Sequence, residues 1–300
     1  MRFPVRKRRP LLTVFALLAA LAMLAVAGCG DDDSSSSTGA DSTSGDATVA
    51  LADCTPDTLD TFKAGTLTVA TDKPAFPPYF EDDDPTNGKG FESAVAYAVA
   101  DKLGYAASDV TWVIEPFNSS YRPGPKDFDF DVNQISITPK RAQAVDFSAP
   151  YYTADQALVA VKGSTFADAT SLADFADAKI GVQIGTTSLE AVEASIQPTT
   201  DPAVFDTSND VVSALKQGQV DAVVVDVPTA FFVTAVQVPD GQIVGQFPAP
   251  GGDEWGALLG KDSSLTGCVS AAVEELRASG ELEEINKRWI SDATNAPVLE

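Results

Sequence analysis

The chain has 300 residues, sets 20 Lys and Arg against 43 Asp and Glu for a net charge of −23, and contains no histidine. The missing imidazole excludes Ser-His-Asp and Cys-His catalytic sets and every His-ligated metal centre, and three cysteines cannot complete a four-thiolate zinc site. So acidic a chain lacks the basic footprint that holding nucleic acid requires, while 44% hydrophobic and 21% charged residues are ordinary values for a globular body.

Arg2, Arg6, Lys7, Arg8 and Arg9 precede an apolar run from Leu11 to Gly28 that only Thr13 interrupts. A basic head, an apolar stretch and small residues before a cut site describe a secretory signal. A membrane-spanning anchor is the alternative. Asp31, Asp32 and Asp33 argue against it, because a stop-transfer segment carries a basic flank there. Val26-Ala27-Gly28-Cys29 resembles a bacterial lipobox, which implies a signal peptide over 1–28 and a lipid on Cys29 that anchors the exported protein outside the cytoplasm. Arg8-Arg9 is a partial match to a twin-arginine signal. Loss of residues 1–28 removes five cations and no acid, so the net charge falls from −23 to −28. Ser, Asp, Gly, Thr and Ala dominate the stretch after Cys29, and a flexible acidic linker is expected over 29–53. Cys54 and Cys268 remain, an even pair in an oxidising compartment; a disulfide is expected, with two buried free thiols as the alternative.

The body alternates strands and helices. Leu67–Ala70 reads as a short buried strand, and Phe91, Val95, Ala98 and Val99 mark a helix over 91–103 that Gly104 closes. A strand at Val110–Ile114 leads into the loop Arg122-Pro123-Gly124-Pro125. Phe128 to Ile137 reads as a strand, and Thr138-Pro139 as the start of a helix with Arg141 one turn in. Ile180–Ile184 is a strand, followed by Gly185 and a helix over Ser188–Ser195. Asn209 is the expected cap of a helix ending at Gly218, and Val220–Val225 is an apolar strand. Helices over 264–279 and 281–290 flank Gly280. This alternation predicts an α/β fold with mainly parallel sheets flanked by helices.

Polar residues stand at the strands' carboxyl ends, where ligands bind in open α/β sheets. They are Asp72, then Gln134 and Ser136, then Gly185-Thr186-Thr187, then Asp226. Such a set suits a small zwitterion. Arg141 can take a carboxylate through two parallel bonds, Thr186 and Thr187 add hydroxyls and a helix start, and Asp226 faces an ammonium. The plain alternatives are a solvated Arg141, core roles for Phe76 and Phe117, a bare N-cap at Thr186 or Thr187, and an Asp226 that caps its own turn.

Four stretches resemble the family 3 extracellular solute-binding proteins of polar amino-acid ABC transporters. They are Leu67–Asp72 with Phe76-Pro77-Pro78-Tyr79; Ile135-Ser136-Ile137-Thr138-Pro139-Lys140-Arg141 with Val145–Tyr152; Gly185-Thr186-Thr187; and Asp221–Asp226. The resemblance runs from about Cys54 to Ile290. It implies a two-lobed, type II periplasmic-binding-protein-like fold with a ligand cleft between the lobes. Lobe one would be 54–153 with 254–292, and lobe two 154–253. It also implies that Arg141 and Thr187 hold the ligand α-carboxylate, that Ser136 and Asp226 take the α-ammonium near the Gln134 backbone, and that Phe76 stacks on the ligand side chain opposite Phe117. Asp72 and Gln183 would meet that side chain. Lys73 and the stretch 122–127 depart from the family pattern, both near the side-chain pocket.

The expectation is therefore a monomeric binding protein without cofactor, resident metal or nucleic acid. It would carry a polar or charged L-amino acid to a membrane permease and close over its ligand. The alternative is a small lyase of the cyclohexadienyl dehydratase type on the same fold, for which Glu92 and Glu115 are the nearby carboxylates. Glu81-Asp82-Asp83-Asp84 lacks calcium-loop spacing and reads as a solvated acidic turn.

Overall fold

The computed structural model describes residues 49–290 and 296–300. The expected signal peptide, the expected lipidation site Cys29 and the expected linker before residue 49 lie outside the described residues.

Two five-stranded sheets form the framework. In the first, β1 (Leu67–Thr71) runs parallel to β2 (Val110–Ile114) and to the short β3 (Phe130–Asp131). Beyond β3 the order continues with β10 (Glu254–Gly260) and β4 (Val145–Thr153), both joined antiparallel. In the second sheet β6 (Ile180–Gln183) lies parallel between β7 (Ala203–Phe205) and β8 (Ala222–Asp226). There β5 (Gln156–Val161) pairs antiparallel with both β8 and β9 (Gly241–Phe247). The chain passes from one sheet to the other at Ala154–Asp155 and returns through residues 248–253, and the Ala154 amide donates to the Asp253 carbonyl at 2.8 Å. The two passages are thus bonded to each other.

Each sheet buries both faces. In β5, Leu158 and Ala160 join one core and Ala157 and Val159 the other, which is why the strand reads as an unbroken apolar run behind Gln156. On the first sheet, α1 (Phe91–Lys102) and α6 (Thr266–Ala278) cover one face. Gly90 precedes α1 at φ +97°, and a Cβ there would stand 2.3 Å from the Tyr79 carbonyl oxygen, so only glycine admits this entry. α7 (Glu281–Trp289) follows Gly280, with acids in its first turn and Lys287 and Arg288 in its last, matching its dipole. Ile290 closes the first lobe's core, whereas Pro297 and Leu299 bond to Gln246 on the outer edge of β9 in the second. Cys54 and Cys268, 214 residues apart, are joined by a disulfide with Cα atoms 5.6 Å apart. Among the described residues no helix is long and apolar enough to cross a membrane.

Several expectations are corrected. The sheets are evenly mixed rather than mainly parallel, because the four strands flanking the passages all pair antiparallel. The strand expected over 128–137 shrinks to Phe130–Asp131, since Gln134 takes a left-handed φ of 49° that ends the ladder. No helix grows from Thr138-Pro139; Arg141–Gln143 is a single 3-10 turn that β4 cuts short. Thr207, not Asn209, caps α4 (Ser208–Lys216), its hydroxyl accepting from the Asp210 amide. The helix after Gly185 divides into α3 (Thr187–Ala191) and a π-turn through Ile196. At the front of the fold, Leu51–Asp53 form a turn and Leu51 packs on the core, so that part of the expected linker belongs to the body.

Candidate functional site

The carboxyl ends of β1, β6 and β8 converge on a cavity of about 470 Å³ between the two lobes. Asp72, Phe76, Phe117, Gln134, Ser136 and Arg141 line it from the first lobe. Gln183, Thr186, Thr187 and Asp226 line it from the second. All ten sequence-derived candidates therefore share one space.

Their geometry separates roles that the sequence left open. Arg141 is only 7% exposed. Its guanidinium donates to the Ser136 carbonyl at 2.7 Å and, across the cleft, to the Gly185 carbonyl at 2.9 Å. It lies over the rings of Phe117 and Tyr121, 5.4 and 4.9 Å from their centroids. Phe117 is thereby a support for the cation as well as a wall. Among the described residues no carboxylate lies within ion-pair distance of Arg141, so its charge is open to a ligand. Burial lowers its pKa, but a guanidinium stays charged in any case.

Thr186 is the helix cap: its hydroxyl accepts from the Leu189 amide and donates to the Gln183 carbonyl. Thr187, half-buried like Thr186, donates its hydroxyl to Asp253 at 2.9 Å and lies 3.3 Å from the Ser136 hydroxyl. Asp226 precedes α5 (Val227–Phe232) yet makes no capping bond; it accepts instead from the Gln156 amide at 2.7 Å. Burial, with Asp253 nearby, pushes the Asp226 carboxyl well above the usual range.

At the other end, Phe76 meets Phe232 with ring centroids 5.9 Å apart. Asp72 accepts from the Lys73 and Phe117 amides, and Gln183 accepts from the Ser208 hydroxyl at 2.5 Å. Lys73 pairs with Asp83 at 3.1 Å on the rim, so the ammonium is occupied there. The backbone N–H and the side-chain amide of Gln134 both donate to Glu92. Glu92 is fully buried, also takes the Tyr151 hydroxyl at 2.5 Å, and is pushed up to about 7 by burial.

Sequence reasoning missed Asp253, Gln156, Tyr121, Asn118, Asn133, Asp206 and Ser208. Gln156 carried a usable signal, an amide heading an apolar strand, where a buried polar group needs partners. Asp253 carried none, standing after two glycines in an ordinary turn.

Comparison with known proteins places this geometry. The sequence profile of bacterial extracellular solute-binding proteins, family 3, matches residues 67–292. The arginine-binding extracellular protein ArtP of Bacillus subtilis (strain 168) is 28% identical over 221 residues, covering 71% of this chain and 82% of ArtP. The L-cystine-binding protein TcyJ of Escherichia coli (strain K12) is 28% identical over 233 residues, covering 75% and 82%. Among solved structures, an ancestral arginine-binding protein bound to arginine superposes with a TM-score of 0.64 at 33% identity, covering 76% of this chain and 99% of that one. With that profile spanning most of the two-lobed body, the chain belongs to the bacterial extracellular solute-binding proteins, family 3.

Proposed function

We propose that the cleft captures a free L-α-amino acid with a polar or cationic side chain, and that the protein delivers it outside the cytoplasm to an ABC transporter permease. One observation carries this reading: a buried guanidinium without an ion-pair partner among the described residues, Arg141, and a half-buried carboxyl, Asp226, line the same 470 Å³ cavity. In this reading Arg141 and Thr187 hold the α-carboxylate. Ser136 and Asp226 take the ammonium, with Thr186 setting the helix start. The Gln134 backbone lies near that ammonium, Phe76 and Phe117 flank the side chain, and its far end meets Asp72 and Gln183. Two acids, Asp72 and Asp206, against the already paired Lys73 favour a cationic side chain over an anionic one.

The lobes are 54–153 with 254–292 and 154–253, and each holds part of the ligand, so binding shifts the population toward the closed form. The same proposal includes secretion, cleavage before Cys29, a lipid anchor there and a monomeric state. Mass spectrometry of the exported protein checks the anchor: the N-terminal peptide should begin at Cys29 and carry acyl chains. The lyase alternative finds little support, because Glu92 is held by Gln134 and Tyr151 behind the pocket wall, and Glu115 does not line the cavity.

A thermal-shift scan of the purified protein against the L-amino acids, cystine and polyamines tests the function. A ligand at a hundred times its Kd adds about 2.7 kcal/mol of stability. A rise in Tm with one or more α-amino acids supports the reading. No rise, before and after unfolding and refolding to strip retained ligand, removes it.

A further inference from the structure

Behind the ammonium end of the cleft stands a second carboxyl that belongs to neither lobe's sheet. Asp253 ends the return passage between the sheets and is 1% exposed. One of its oxygens accepts from the Gln156 amide and from the Thr187 hydroxyl, both at 2.9 Å. The other is buried with no partner among the described residues. The Gln156 amide is oriented by Ser188, whose hydroxyl donates to its oxygen at 2.6 Å, so the NH₂ group faces the acids. That single NH₂ donates once to Asp226 and once to Asp253. Two carboxyls, Asp253 buried and Asp226 half-buried, thus share one neutral amide donor.

The charge around them is one-sided. Arg141 is the cation that acts on the pair and Glu92 from α1 acts on Asp226 in the opposite sense, while Glu190 from α3 acts on Arg141 and Asp155 beside β5 on Tyr152, and the phenols of Tyr79 and Tyr152 stay neutral. Like-charged carboxyls in one desolvated site cannot both ionise cheaply. A ligand ammonium would supply the missing cation, and its carboxylate would meanwhile occupy Arg141.

We propose that Asp253 is the second carboxyl of the ammonium subsite, sharing one proton with Asp226 in the empty cleft and giving it up to solvent when the ligand ammonium arrives. This rests on the amino-acid reading above. Burial pushes both carboxyls upward, which agrees with a retained proton. The proton leaves a carboxyl oxygen for the buffer, the ligand keeps its own ammonium proton, and no other bond changes. Asp253 also fixes Thr187 and Gln156, which tie the return passage to α3 and β5.

Titration calorimetry with L-arginine and L-glutamine, in buffers of differing ionisation enthalpy, counts the protons released per ligand bound. The wild type should release roughly one half to one proton near pH 7, with affinity rising up to tenfold per pH unit through the same range. Asp253→Asn, which keeps an oxygen for Thr187 and Gln156, should bind more weakly and release close to none. Because the count is per ligand bound, a merely weakened site does not erase it. Should that variant fail to fold, Glu92→Gln decides the source: a proton count preserved supports the Asp226–Asp253 pair, and a count lost overturns it. No release by the wild type between pH 5.5 and 8, or an undiminished release in Asp253→Asn, overturns this proposal alone. Absence of binding by any α-amino acid overturns it together with the reading on which it rests.

Discussion

Arg141, on the first lobe, donates a 2.9 Å hydrogen bond to the carbonyl of Gly185 on the second. The bond crosses the cleft at the place where the two lobes approach each other. Its acceptor is neutral, as is the Ser136 carbonyl that takes the other terminal nitrogen. A guanidinium has five N–H donors, so three are left for a ligand carboxylate.

Replacing Arg141 by Lys should therefore cost more than a conserved charge suggests. An ammonium cannot hold both carbonyls and a carboxylate in the fork geometry, nor lie flat on Phe117 and Tyr121. Arg141→Lys is expected to lose about 2 kcal/mol of binding, and Arg141→Ala about 3–5 kcal/mol, the range for breaking a buried charged pair. Calorimetry with the best amino acid from the thermal scan reads both. Affinities within threefold of wild type would remove Arg141 from the clamp.

Gly185 offers a second handle, because its cost differs between open and closed forms. It sits at φ +74°, and a Cβ there would stand 2.4 Å from the Tyr121 hydroxyl and 3.3 Å from the Asn118 side chain. Both neighbours belong to the other lobe. Gly185→Ala thus carries backbone strain of about 1 kcal/mol in any state, and a clash only when the lobes meet. Affinity is expected to drop tenfold or more while Tm without ligand falls by only a few degrees. An equal loss in both would mean that the contact is not specific to closure.

The buried acids set the direction of the pH response. Glu92 is raised from the ordinary carboxylate range to about 7, and Asp131, fully buried with neither oxygen partnered among the described residues, is raised well above the ordinary range, both by desolvation. A native state with raised carboxyl pKa values binds more protons than the unfolded chain, so stability declines as pH climbs from about 4.5 through 7. Glu92 alone accounts for roughly 3 kcal/mol across that window at 1.36 kcal/mol per pKa unit. The ligand-free protein should melt higher at pH 5.5 than at pH 8, and Glu92→Gln should flatten the difference. General relief of acidic repulsion also favours low pH, so the comparison with the variant is the deciding one. A variant whose slope matches the wild type would show that Glu92 is ionised in the native state.

How far the sequence disclosed this site follows from what local patterns encode. Apolar runs ending in a polar residue marked the strand ends, so Asp72 and Asp226 were legible along with the crevice they share, whereas Gln183 was legible only through the family resemblance. Thr187 and Arg141 followed from loop and motif positions beside those ends. Gln134 was readable only as a nearby residue: its left-handed backbone depends on Glu92, 42 positions earlier, and no local pattern reports that bond. Thr138-Pro139 has a helix-start signature, but the pairing of β4 with β10 claims the chain from Val145 and leaves room for one turn. Thr207 and Asn209 are both good caps, and the end of β7 at Phe205 decides between them. Asp253 acts only because the return passage brings it back beside Gln156, 97 residues away, a purely tertiary event.

The disulfide joins the first turn of the body to α6, so its effect should fall on folding and leave the cleft untouched. Cys268 lies in the first lobe's core beside Val269 and Ala272, and neither cysteine lines the cavity. Closing a loop with a separation of 214 residues removes chain entropy worth about 5 kcal/mol in the unfolded state, which is comparable to the whole stability of many domains. The double variant Cys54→Ser with Cys268→Ser is expected to lose much of that, read as a drop in the denaturant midpoint. Its m-value should rise, since the unlinked unfolded chain exposes more surface. Ligand affinity, measured where the variant is still folded, should stay within about twofold of wild type. A large loss of affinity there would mean that the crosslink, through α6 and the strands it covers, also sets the distance between Arg141 and Asp226.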